Sequence, residues 1–282
     1  EISHISKRQF AVARKSQQWK IRTTTQNEDI QYEEMGFDGV RIYSLCQMNE
    51  EKIQREQGPL PPDCRTAQGS VRYGKYLAGM DSDLVFPLWL AFCSDDYYQR
   101  TKGNRIVVPE FNQGDIHTTK AAPVFHPRPA KWQLNNAHLP SKVEWRPEGK
   151  EYDYPPPFDG EFLSALFEVS GCGEFSGMTL PAGFELKVFF PNKLQLHPDR
   201  NQGELCLSWM IEANVRSFHN LSDFCCLPTL TKKAIITDGR YRCNSSCAGW
   251  LSYSSSVWMT EEEVEAKNQQ HGVKCERQNP QD

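Results

Sequence analysis

Ten cysteines, seven histidines and thirty-six carboxylates could carry chemistry in this chain, and their spacing decides whether they do. Asp115, His117 and His126 could bring a carboxylate and two imidazoles to one metal ion. Their spacing matches no established ligand motif, and His126 sits in a proline-rich segment, so loop histidines are the ordinary reading. His197-Pro198-Asp199 reads equally well as turn chemistry, with Pro198 and Asp199 shaping a bend. Cys243-x-x-x-Cys247 beside the adjacent pair Cys225-Cys226 suggests zinc at first sight. Neighbouring cysteines rarely ligate one metal together, however, and the sequon Asn244-Ser-Ser lies inside the Cys243–Cys247 interval. Disulfides or free thiols among Cys225, Cys226, Cys243 and Cys247 are therefore expected, with a connectivity that sequence leaves open. No cysteine stands in a basic, helix-starting context that would favour the thiolate.

Other catalytic signatures are missing. There is no G-x-S-x-G, and Gly171-Cys-Gly-Glu-Phe-Ser176-Gly has a different shape. No phosphate loop or dinucleotide fingerprint occurs. Glu204 and Glu212 are available for carboxylate-pair chemistry, with solvation or cross-strand pairing as the plainer alternative. No catalytic residue, metal or cofactor is assigned. The aromatic side chains Tyr97, Tyr98, Trp132, Trp145, Tyr152, Tyr154 and Trp250 lie in loop-rich or short segments. Aromatics on loops are a common source of affinity for sugars and proteins, although core or rim packing explains most such residues.

The element that must position these groups is the stretch from Glu204 to Phe218. Leu205, Leu207, Trp209, Ile211, Ala213 and Val215 recur at every second residue, which predicts a strand with one apolar row against a core. Its length exceeds that of a usual strand, so a bend or bulge is expected, and it is read as the central strand of an antiparallel domain. Phe184–Phe190 alternates too and is its expected partner across the loop 191–203. Further strands are expected at Trp19–Thr24, Gly39–Leu45, Val71–Leu77, Asn104–Pro109, Lys142–Arg146, Lys232–Thr237 and Leu251–Met259. Leu84–Cys93, the most apolar stretch, reads as a buried strand broken by Pro87. Asp238-Gly239 reads as a turn, and Gly160–Gly171 as a strand or a short helix. Asn49–Gln57 has helix composition behind an asparagine cap, and Thr260-Glu-Glu-Glu263 is a capping box.

The fold expected is mainly β, an antiparallel barrel or sandwich with long loops and few short helices. A single module over 1–282 is favoured, with a proline-rich arm at 109–157 and a polar tail from about residue 268. The net charge of −4 shows no basic stripe and argues against nucleic acid. The longest apolar run is about half of what a bilayer needs, so no membrane insertion is expected. A chain opening on Glu1 is expected to be a processed product or a piece of a longer polypeptide. The even cysteine count, with sequons at Asn220 and Asn244, favours an oxidising, extracellular setting.

The long alternating strand with its Phe184–Phe190 partner, the proline-rich arm, the large loops and the acidic Thr260–Glu265 end resemble the astrovirus capsid spike, a viral capsid protruding domain. That resemblance implies a β-barrel-like homodimer on the virion surface. It would attach to a host-cell receptor, protein or glycan, and carry antigenic surface met by neutralising antibodies. Its contact residues are expected among Tyr97, Tyr98, Lys193, His197, Asp199 and Arg200. The second reading is a secreted, disulfide-bonded, N-glycosylated carbohydrate-binding protein or hydrolase, glycosylated at Asn220 and Asn244.

Overall fold

The computed structural model describes residues 5–24, 29–61, 64–74, 84–95, 128–146, 163, 165–191, 205–243, 249–270 and 274–278. It is mainly β: the described residues form two antiparallel-rich sheets and three short helices, and each sheet is open rather than closed into a barrel. The chain divides into two compact units, Glu1–Lys75 with Ser222–Asp282, and Tyr76–Leu221 inserted between them. Of the proline-rich stretch 109–157, the described residues 128–146 form two paired strands of the inserted unit.

The first unit is built on β1 (Gln9–Lys15), β2 (Gln18–Thr24), β3 (Ile30–Phe37), β4 (Arg41–Met48) and β5 (Ala67–Tyr73), each antiparallel to the one before it. The chain then leaves for the inserted unit and returns as β11 (Ala234–Cys243), parallel to β5. A parallel pair needs a long crossover, and here the inserted unit supplies it. Next to β11 lies β12 (Trp250–Ser255), and β13 (Cys275–Arg277) pairs with the far end of β11. The expected turn at Asp238-Gly239 is instead part of β11, its disturbance appearing as an irregular register against β12 between Asp238 and Arg242.

One face of this sheet carries Tyr32, Tyr43, Leu45, Ala67, Val71 and Ile236, packed by Leu227, Leu230 and Trp258. The segment around Cys226 lies so close to β3 that a β-carbon at Gly36 would overlap the Cys226 carbonyl oxygen. Buried Glu34 fastens it there, accepting from the Thr229 amide at 2.6 Å while pairing with Arg22 at 3.1 Å and Lys20 at 3.4 Å. The Trp258 indole adds a hydrogen bond to the Pro228 carbonyl at 2.8 Å. Helix α1 (Glu50–Gln57) starts where the sequence places it, with Asn49 Oδ1 accepting from the Lys52 amide at 3.2 Å. Further on, α3 (Glu261–Gln270) is opened by the reciprocal bonds of Thr260 and Glu263, at 2.8 and 3.3 Å, that a capping box requires.

The described residues of the inserted unit form a five-stranded antiparallel sheet, in the order β10-β9-β8-β7-β6. Its strands are β6 (Arg128–Leu134), β7 (Pro140–Arg146), β8 (Ala165–Phe175), β9 (Met178–Pro191) and β10 (Leu205–Asn214). The core face presents Val143, Trp145, Ala165, Phe167, Phe184, Leu186 and Val188, all buried. Leu84–Cys93 is not a strand: Val85–Cys93 is helix α2, and every one of its residues is buried. A helix buried all round needs no polar face, so its sequence carries no amphipathic signature. Pro87 falls in the first turn, where a missing N–H costs no intrahelical bond. Phe92 meets Phe184 edge-on at 6.3 Å and Phe86 meets Trp145 at 6.3 Å, joining helix and sheet.

The Phe184–Phe190 partnership holds, since β10 pairs antiparallel with β9. The expected central place does not: β10 stands at the end of the sheet. Its predicted bulge is present, between Leu207 and Trp209.

Candidate functional site

One cluster of ionisable groups in the first unit surrounds the Asp238–Arg240 pair on β11. The guanidinium donates from Nε to Asp238 Oδ1 at 2.8 Å and from Nη2 to Oδ2 at 2.6 Å, with both side chains at most 1% exposed. The Arg240 Nη2 also donates to the Met259 carbonyl at 3.1 Å, and the Tyr253 hydroxyl donates to Asp238 Oδ2 at 3.2 Å. Burial alone would weaken the Arg240 charge, but the two-point bond to Asp238 outweighs it and raises its pKa. Burial, together with nearby Asp238 and Glu265 respectively, pushes Tyr253 and Tyr241 upward as well, so both phenols remain donors.

A second knot closes around Glu261, at the start of α3. It accepts from the Tyr73 hydroxyl at 2.9 Å and pairs with Arg41 at 3.0 Å and with Arg277 of β13. Burial works to raise its pKa, yet the Tyr73 hydrogen bond and the three arginines Arg41, Arg277 and Arg240 together hold it below the usual carboxylate value. Most of these groups are spent on one another and on the ends of strands and helix, while Arg240 Nη1 and Arg41 Nε are buried without a hydrogen-bond partner among the described residues. The chemistry the arrangement performs is to tie α3 and β13 to the sheet.

At the tips of β1–β2 and β3–β4, an open groove of about 450 Å³ is lined by Lys15, Gln17, Gln18, Asp38, Gly39 and Phe224. Its carboxylate is already committed: Asp38 accepts from the Val40 and Arg41 amides at 2.8 and 2.7 Å and from the Tyr43 hydroxyl at 3.1 Å. Among the described residues, no group of three or more His, Cys, Asp and Glu is arranged to hold a metal ion.

A different kind of surface lies on the outer face of the inserted sheet. Alternation in β10 is strict in sequence but broken in space. Pairing runs Leu205↔Pro191, Cys206↔Phe190 and Leu207↔Phe189, then skips Ser208 and resumes Trp209↔Val188, Met210↔Lys187 and Ile211↔Leu186. An extra residue shifts the phase of every side chain beyond it. Ile211 and Ala213 therefore join the core row of Leu186 and Phe184, while Leu205 and Leu207 share the opposite face with Met210 and Glu212. The predicted single apolar row is thus split between two faces. Leu207 is 43% and Met210 39% exposed, with half-buried Phe189 and Leu166 near them on that face.

Register places a charged row beside this patch. Lys142, Glu168, Glu185 and Glu212 lie opposite one another across β7, β8, β9 and β10. Like charges directly opposite oppose pairing of strands. Lys142 offsets the first glutamate by pairing with Glu168 at 2.9 Å, and Lys187 the second by pairing with Glu185 at 2.6 Å. Glu212, at the edge, receives only the Asn214 amide at 3.4 Å and has no cation within ion-pair distance among the described residues.

The positions singled out from sequence fall variously. Tyr97, Tyr98, Lys193, His197, Asp199, Arg200, Asp115, His117, His126, Tyr152, Tyr154, Glu204, Asn244 and Cys247 lie outside the described residues, as does the strand expected at Asn104–Pro109. Asn220 is exposed. The bridge found is Cys243–Cys275, joining directly opposed residues of β11 and β13, whereas Cys225 and Cys226 are free thiols. Of the expected cluster Cys243 is bridged, but to a cysteine outside it: Cys226 is buried with its backbone against Gly36, while pairing of β13 delivers Cys275 from far along the chain. Trp145 belongs to the core and Trp250 is 40% exposed. Met210 already stood on the row opposite the expected core row, but Leu207 was read into that core row and Leu166 was given no face. The one local signal was the over-long alternation, which demanded a bulge without locating it. Comparison with protein-family models, with curated proteins and with solved structures finds no match to this chain.

Proposed function

We propose that this chain is a recognition module, acting as a surface spike that attaches a particle to a host-cell receptor. The observation that carries the reading is the outer face of the inserted sheet, where Leu207 and Met210 lie exposed next to a row of charged residues. Exposed apolar side chains grouped with charges on a flat strand surface are the usual make-up of a protein-binding patch. The buried ionisable groups of the first unit support it indirectly, because their hydrogen bonds are internal and tie structural elements together.

Fluorescently labelled chain should bind cultured host cells saturably and be displaced by unlabelled chain. A Leu207→Asp/Met210→Asp variant with unchanged near-UV circular dichroism should lose that binding. Undiminished binding by the variant would refute the assignment of this face. A second reading, a secreted glycoprotein that binds by the same face, is favoured by the Cys243–Cys275 bridge and by the exposure of Asn220 in its sequon. Occupied glycan at Asn220 in material from the native source would select it over the particle spike; bare asparagine would select the spike.

A further inference from the structure

We propose that the outer edge of β10 accepts an extended segment of a partner protein as a sixth strand, with a lysine or arginine opposite Glu212 and an apolar residue two positions away, opposite Met210. This deepens the recognition reading above and rests on it. Among the described residues β10 pairs with β9 alone, and the second side of such a terminal strand is where backbone donors and acceptors meet an incoming strand. Charge then selects the occupant. Each inner glutamate of the outer-face row has its own lysine, Lys142 for Glu168 and Lys187 for Glu185. The row ends on Glu212, which feels the Lys187 charge but among the described residues has no cation of its own within ion-pair distance, and the next strand is where one would come from.

Self-pairing of β10 over Leu205–Asn214 with a second copy does not supply that cation. The outer-face residues of β10 are Leu205, Leu207, Met210, Glu212 and Asn214, without a basic side chain among them. A two-fold pairing confined to Leu205–Asn214 therefore sets Glu212 opposite another acid, an amide or an apolar residue. A segment alternating between an apolar inner row and a basic-then-apolar outer row satisfies both faces, covering half-buried Ile211 on one side and Met210 on the other.

The test uses the full chain and fluorescence anisotropy with the labelled, capped peptide Thr-Val-Lys-Val-Leu-Thr-Thr, beside counterparts with glutamate for lysine and with alternate amides N-methylated. The lysine peptide should bind at least about tenfold tighter than the glutamate peptide, a factor that corresponds to one close charge pair. Glu212→Lys, a change at an exposed residue, should invert that preference, and Met210→Ser should weaken the lysine peptide. N-methylation should abolish binding, because it removes ladder donors and leaves the side chains in place. Equal affinity for both peptides, no binding of either, or a preference that survives Glu212→Lys would overturn the proposal. Should no peptide bind while labelled chain still binds cells through Leu207 and Met210, the added strand is wrong and the recognition face stands. Should the lysine peptide bind as described while cells are not bound, the strand site stands and the cellular role falls.

Discussion

Replacing Asp238 by asparagine removes one charge from the most deeply buried ion pair described in the protein. Arg240 is 1% and Asp238 0% exposed, and the guanidinium spends three of its hydrogen bonds on Asp238 and the Met259 carbonyl. The asparagine side chain would keep the shape of the aspartate but turn a donor toward either Nε or Nη2, leaving a buried cation uncompensated. Breaking such a pair from one side costs about 3–5 kcal/mol. That is a large share of a total stability on the order of 5–15 kcal/mol. In urea, with a slope of roughly 2 kcal/mol per M, the midpoint should fall by roughly 2 M. Removing both charges behaves differently: Asp238→Leu with Arg240→Met fills the space without a buried ion and should recover most of the loss. The assay is urea unfolding followed by near-UV circular dichroism for wild type, Asp238→Asn, Asp238→Leu, Arg240→Met and the double variant Asp238→Leu/Arg240→Met. A single variant within about 1 kcal/mol of wild type would refute the placement of this pair, since surface pairs contribute no more than that. A double variant as unstable as the single ones would refute the claim that desolvation sets the cost.

Three other outcomes follow from the same geometry. Gly36→Ala must push the Cys226 carbonyl off β3, so the unfolding midpoint should drop by the equivalent of about 1–3 kcal/mol, while Gly39→Ala, with open space at its β-carbon but a φ of +105°, tests backbone strain separately. Glu261 is held below the usual carboxylate value, so its stabilisation is complete above the unfolded value of about 4.3 and disappears as pH falls through the folded value. An acid titration of stability should therefore show a shallower decline below about pH 4.3 for Glu261→Gln than for wild type; identical acid limbs would contradict it. Non-reducing peptide mapping should find the Cys243 and Cys275 peptides joined and both Cys225 and Cys226 alkylated, and Cys275→Ser should lose about 3–4 kcal/mol for a bridge spanning 32 residues.

Where structure follows from local chemistry, the sequence was readable. Asn49 and the Thr260–Glu263 box mark helix starts because each satisfies free amides within three residues of itself. The β9–β10 pair was readable because Phe184, Leu186 and Val188 need a partner row, and Ile211 and Ala213 provide it. Leu84–Cys93 was misread because periodicity vanishes when a segment is buried on every side, leaving only Pro87, whose meaning depends on the element it occupies. The acidic character around Glu33 and Glu34 hid β3, since Glu34 is buried through pairing with Lys20 and Arg22 on the adjacent strand β2 and with the Thr229 amide, which is remote from it in sequence. The outer-face patch escaped for a subtler reason. A single extra residue at Ser208 reverses the phase of a strand without altering the apolar pattern that announces it, so Leu207 and Ile211 look alike in sequence and lie on opposite faces.

Hydroxyl-radical footprinting of the free chain, read residue by residue by mass spectrometry, tests that reversal directly. Leu207 should be oxidised much faster than Ile211 and Leu186, and bound partner should protect Leu207 and Met210 while leaving the core residues unchanged. Slow oxidation of Leu207 at the rate of Ile211, or a partner that protects neither Leu207 nor Met210, would contradict a recognition face created by the bulge.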